Sequence, residues 1–112
     1  MSDDDLHKHR HFVNEIGQAI RLANREVLHP VVNGMTDADV IAVAVEVAKR
    51  RSAYLKATLE MGQSAGKKPS GNELAALRVN YEESRDAFAE LMHSIERNYI
   101  DVPTHAEKKP TT

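Results

Sequence analysis

The chain has 112 residues, of which 41% are hydrophobic and 29% charged, and it carries a formal net charge of −2. A chain of this length and composition suits one soluble globular domain, because a second core would be too small to be stable. Its 15 basic residues are interspersed with 17 acidic ones and it has no cysteine, which argues against a nucleic-acid interface and excludes disulfides and thiolate metal sites.

No segment of the sequence has the pattern of a membrane span. The most apolar run, residues 40–48, is interrupted by Glu46 and is far shorter than the about 20 residues that cross a bilayer. The acidic residues 3–5 are not followed by the apolar core of a signal peptide. We therefore expect a cytoplasmic protein with no nucleic-acid or membrane partner.

The first predicted helix carries an apolar residue at every seventh position. These residues are Leu6, Val13, Ile20 and Val27, with His9, Ile16 and Ala23 between them in the same stripe. Carboxylates at residues 3–5 favour the positive end of a helix dipole, and Pro30 disfavours helical geometry in the residue before it. The pattern predicts a helix over residues 3–29.

The second predicted helix has a clear start signal. Thr36 is a good N-cap, Asp39 occupies the capping-box position, and Met35 can pack against Val40 across the cap. β-branched residues in its first half would also suit a strand, but the cap and residues 49–59 favour a helix. We predict a helix over residues 37–62, ending at Gly62 or Gly66.

The third predicted helix has the same kind of start signal as the second. Ser70 is the expected N-cap and Glu73 occupies the capping-box position. A heptad stripe follows, formed by Leu74, Tyr81, Phe88, Ile95 and Val102, with Leu77, Ser84, Leu91 and Asn98 interleaved. The pattern predicts a helix over residues 71–101, and residues 103–112 form a polar tail that we expect to be disordered.

Three helices of similar length joined by short turns predict an all-α fold, an antiparallel up-down-up three-helix bundle over residues 1–102. The second helix has more apolar residues than such a bundle buries. We expect the surplus to form a second interface, most simply in a homodimer, unless these short side chains remain half-exposed at little cost. The predicted interface residues are Val40, Ile41, Val43, Ala44, Val45 and Val47.

Two Glu-x-x-His sequences raise a metal hypothesis. Glu26 and His29 lie near the end of the first helix, Glu90 and His93 lie near the end of the third, and Glu46 of the second falls at a similar height. Di-iron carboxylate bundles use two such motifs, so a ferritin-like protein with iron or another divalent metal is the alternative. Both pairs flank the apolar stripes rather than belonging to them, so exposed ion-pairing segments are the simpler interpretation.

A weaker metal pair is His7 and His11, which stand four residues apart on one helix face. Solvated histidines in the first turns of a helix are the simpler interpretation here too. No phosphate-binding loop, nucleophile elbow or close acid/base pair is present, so we expect no cofactor and no enzyme activity. Only the ferritin-like alternative would imply oxidase-type chemistry.

The sequence therefore predicts a small helical interaction protein, acting as an adaptor, a regulator or an assembly component through contacts between helix faces. Its expected partner is another protein, first of all a second copy of the same chain. No resemblance to a known family contributes to this prediction.

Overall fold

A computed structural model describes residues 2–103. It contains three helices in this range and no strand: α1 (Asp3–Leu28), α2 (Asp37–Met61) and α3 (Gly71–Glu96). The predicted all-α class is therefore confirmed. The predicted tail at residues 104–112 lies outside the described residues.

Each helix begins at an N-cap side chain, and two of these, Thr36 and Ser70, are the caps that the sequence predicts. Ser2 accepts a hydrogen bond from the Asp5 amide at 3.2 Å, and Ser70 accepts one from the Glu73 amide at 3.1 Å. At α2 the capping box is complete, because the Thr36 hydroxyl accepts from the Asp39 amide while the Asp39 carboxylate accepts from the Thr36 amide. These bonds satisfy backbone donors that have no partner within the helix.

α1 ends at Leu28, close to the predicted position, but not for the predicted reason. His29 keeps right-handed helical geometry despite the proline that follows it (φ −58°, ψ −43°). The amides of Val31 and Val32 both donate to the carbonyl of Leu28, so one turn continues past the helix end. The connection to α2 also contains Gly34, whose φ of +73° is a left-handed conformation that glycine adopts without strain.

α3 ends at Glu96, short of the end predicted at residue 101. Asn98 adopts a φ of +63°, the Asn98 amide donates to Ile95, and the Tyr99 amide donates to Ser94. This pair of bonds around a left-handed residue is the Schellman motif, a common helix end in which asparagine can replace glycine. Asn98 and Val102 fit the heptad stripe by spacing, yet both lie beyond the helix.

α2 and α3 pack against each other as a helical hairpin. Ala57 and Glu60 lie beside Glu73 and Leu77, and toward the other end Val47 lies beside Ser84. The late part of α2 thus faces the early part of α3. Only three hydrophobic residues of the described chain are buried, namely Val47, Ala57 and Ile100.

α1 does not pack on this hairpin. Among the described residues, the only helices in contact with each other are α2 and α3. The chain has a radius of gyration of 21.7 Å, against about 13 Å for a compact domain of this length. Three helices are present as predicted, but within one chain α1 does not take the third place beside α2 and α3.

Candidate interaction surfaces

The face of α1 that the heptad pattern marks as apolar is exposed along its whole length. Seven residues form this face, the α1 seam: Leu6, His9, Val13, Ile16, Ile20, Ala23 and Val27. Every one of them is exposed, including Ile20 at 52%. A helix of 26 residues gains most of its stability from tertiary packing of its apolar face, so this seam needs a cover.

Two different rows of apolar residues run along α2. The inner row faces α3 and includes Val40, Ala44, Val47 and Tyr54, which are buried or half-buried. The outer row lies about 100° around the helix, following the 3.6-residue period, and every residue in it is exposed. It consists of Ile41, Val45, Ala48, Ser52, Leu55 and Leu59.

The predicted dimer interface is therefore divided between these rows. Val47, at 5% exposed, contributes to the hairpin and is not free for a second interface, while Val40 and Ala44 are partly covered beside it. Ile41 and Val45 belong to the outer row, with Ile41 62% exposed. Val43 points to the other side, where it lines an open groove with Ser84 and Ala87.

Leu55 and Leu59 extend the outer row beyond the segment that the sequence interpretation selected. Leu59 is 72% exposed, the most exposed leucine of α2. Both fall at heptad spacing from Ile41 and Val45, so the spacing could have revealed them. The concentration of valines and alanines makes residues 40–48 the strongest apolar signal in the sequence, whereas the outer row is longer and has its apolar residues further apart.

The residues of the metal hypothesis do not come together. Among residues 2–103, no group of three or more histidine and carboxylate side chains has an arrangement that could hold a metal ion. Glu46 lies 3.9 Å from Lys49, His93 makes an edge-on ring contact with Tyr99, and His29 lies beside Asp101 at 4.0 Å. Glu26 and Glu90 are exposed.

The amino-terminal histidine pair is also dispersed. His11 contacts Glu15 through its Nε2 atom at 2.9 Å, and His7 is exposed one turn earlier. An ion pair between exposed side chains four residues apart on a helix is the ordinary surface interaction of such residues. It adds little to the stability of the fold.

Arg25 connects the end of α1 to the segment that follows α3. Its guanidinium donates to the Asn98 carbonyl at 2.9 Å and to both carboxylate oxygens of Asp101, at 3.1 and 2.6 Å. This hydrogen bonding from Arg25 holds the pKa of Asp101 below its ordinary value of 3.8. The contact anchors only the carboxy-terminal part of α1 and leaves the α1 seam uncovered.

A cluster on the hairpin centres on Tyr81 of α3. Arg51 Nε donates to the Tyr81 hydroxyl at 3.1 Å, and the guanidinium groups of Arg51 and Arg85 lie 5.2 and 5.4 Å from the centre of its ring. Tyr54 stacks against Tyr81 with the ring centres 6.3 Å apart. The bond from Arg51 lowers the pKa of Tyr81, since it favours the phenolate.

The sequence could indicate that Arg51 lies in an apolar stripe, but not that its partner is a tyrosine. The cluster fixes the relative position of α2 and α3.

Comparison with family models, with curated proteins and with solved structures finds no match for this chain. None of the helices in residues 2–103 is long and apolar enough to cross a membrane. Functional inference therefore depends on the exposed helix faces themselves.

Proposed function

We propose that this chain is a cytoplasmic helical interaction protein without catalytic activity, acting as an adaptor, regulator or assembly component. Its first partner is a second copy of itself, and the homodimer is the form in which three antiparallel helices surround each core. The single observation that carries the proposal is the exposure of two full-length apolar rows, the α1 seam and the outer row of α2.

The surface area of the chain supports the same conclusion. One chain has an accessible surface of 8770 Å², whereas a compact monomer of 12.5 kDa has about 6,200 Å². The excess is on the order of 2,000 Å² per chain, which is the scale of an obligate homodimer interface. Contiguous exposed apolar residues, such as those of the two rows, mark an interaction site, because monomeric proteins seldom leave large apolar patches uncovered.

The outer row provides the test. We expect Ile41→Glu to raise the dissociation constant of the dimer by roughly a hundred-fold or more, because each of two symmetric sites loses an apolar contact worth about 1.5–3 kcal/mol. Sedimentation equilibrium measures this constant. The hairpin should stay helical in the variant, since Ile41 does not face α3.

The matched control is Ala53→Glu, which places the same charge on an exposed position of α2 away from the outer row. It should leave the dissociation constant within a few-fold of wild type. Equal weakening by both variants would mean that added charge, and not the outer row, controls assembly. A loss of helicity in Ile41→Glu without a change in assembly would assign Ile41 to the core of the single chain.

A further inference from the structure

The two uncovered rows of the chain match each other in length and in period. From Leu6 to Val27 the α1 seam extends about 32 Å, and from Ile41 to Leu59 the outer row extends about 27 Å, at 1.5 Å per residue. Both repeat every seven residues, which is the condition for side chains of one helix to fit between those of another along a shared seam.

We propose that the two rows cover each other between chains, so that α1 of each copy packs on the outer row of α2 in the other copy. This exchange deepens the proposed function and rests on it, since it requires the homodimer and identifies its interface. Each helical hairpin then gains the third helix that the sequence pattern predicts, and the third helix comes from the partner chain.

The position of α1 favours exchange over folding back within one chain. In the single chain α1 contacts neither α2 nor α3 along its length, and Arg25 holds its carboxy-terminal part beside Asn98 and Asp101. Helical geometry continues for one turn after Leu28, where the amides of Val31 and Val32 donate to the Leu28 carbonyl. Exchange of an identical element between two copies closes the assembly with two-fold symmetry and creates no new kind of contact.

Charge favours a direction for this contact. If α1 and α2 run in opposite directions, as the short connection would require in a closed chain, the acidic residues 3–5 lie near the end of α2 and its linker. That end carries Lys56, Lys67 and Lys68, all exposed, together with Glu60 at 4.0 Å from Lys56. On α1, Asp4 is already 3.5 Å from Lys8. The charge complementarity is therefore between an acidic group of residues on α1 and a basic group at the end of α2, and not between single pairs of side chains.

The area that exchange would cover is also sufficient. An exchanged dimer contains two copies of the α1–α2 contact, and together they can draw on the excess surface of both chains. Obligate homodimers bury about 2,000–5,000 Å² in total, so an excess on the order of 2,000 Å² per chain is enough. A single symmetric contact between two α2 helices would leave the α1 seam uncovered.

Cysteine cross-linking distinguishes these arrangements, because the chain has no cysteine of its own. We would prepare Val13→Cys and Ser52→Cys as separate full-length chains, mix them after unfolding and refolding, and add a short bis-maleimide. Exchange predicts a covalent species of twice the chain mass that contains one copy of each variant. The control variant is Gln18→Cys, which places the cysteine on the opposite face of α1. Used in place of the Val13→Cys chain, it should give at least ten-fold less of the cross-linked product.

Two results would overturn the exchange. A cross-link formed only within one chain when both cysteines are present would show that α1 folds back on its own hairpin. Efficient coupling of Ser52→Cys to itself, without coupling to Val13→Cys, would show a symmetric α2 interface. A second pair, Ala23→Cys with Ile41→Cys, reports the same contact at its other end if the first pair impairs folding.

The molar mass of the wild-type chain separates this failure from failure of the proposed function. A dimer without an α1–α2 cross-link at either pair contradicts the exchange alone. A wild-type monomer at micromolar concentration contradicts both. Capture of α1 by a different protein would also leave the wild-type chain monomeric, and it would therefore count against both proposals.

Discussion

Replacing Ile16 by glutamate should dissociate the protein and unfold its first helix. Ile16 lies at the middle of the α1 seam and is exposed in the single chain, so in the dimer it is available for burial against a partner. Two buried isoleucines per dimer contribute about 3–6 kcal/mol, so the dissociation constant should rise roughly a thousand-fold.

Helicity should fall in the same experiment. α1 holds about a third of the helical residues, and an uncovered helix of this length is only marginally stable in water. Sedimentation equilibrium and far-ultraviolet circular dichroism at equal concentration measure the two effects. Gln18→Glu is the control, because it adds the same charge on the other face of α1. Dissociation without any loss of helicity would mean that α1 is stable without a partner.

Replacing Val47 by aspartate should unfold the hairpin itself. Val47 is 5% exposed, so a carboxylate introduced there would be buried among the apolar residues of the inner row. An unpaired buried charge is among the few single changes that cost more than about 4 kcal/mol, a large part of the stability of a small domain. We expect little helical signal to remain at room temperature.

The milder Val47→Ala should lower the free energy of unfolding by about 2 kcal/mol, since it removes apolar contacts and leaves a small cavity. Urea unfolding followed by circular dichroism measures this difference. Val79→Asp is the control, because Val79 is 44% exposed on α3 and should accept the charge within about 1 kcal/mol. If Val47→Asp and Val79→Asp lowered the free energy of unfolding equally, the inner row would not differ from the exposed surface in its contribution to stability.

Local signals in the sequence were sufficient to locate the helices. The three caps at Ser2, Thr36 and Ser70 depend on side chains within three residues of the amides they bind, so sequence spacing determines them. The end of α3 was less accessible. Whether Asn98 continues a helix or adopts a left-handed conformation depends on a balance of about 1 kcal/mol, which heptad spacing does not report.

Which helix covers an apolar face is a different kind of question. The periods of the α1 seam and of the outer row of α2 are those of faces that pack against another helix, and they are the same whether that helix belongs to the same chain or to another. The predicted bundle and the structure therefore have the same apolar seams. They differ in whether α1 packs on the hairpin of its own chain. The residues of the metal hypothesis form no group that could hold a metal among residues 2–103, for a related reason: Glu-x-x-His spacing orders two ligands on one helix but does not bring two helices together.

The measurement that tests the central claim most directly is the molar mass of the wild-type chain by light scattering after size exclusion, at several micromolar concentrations. We predict a species of twice the 12.5 kDa chain mass that dissociates only on strong dilution, with helicity decreasing as it does so. A monomer at every concentration, with the full helicity of α1, α2 and α3, would contradict the claim that exposed helix faces make this chain an interaction protein.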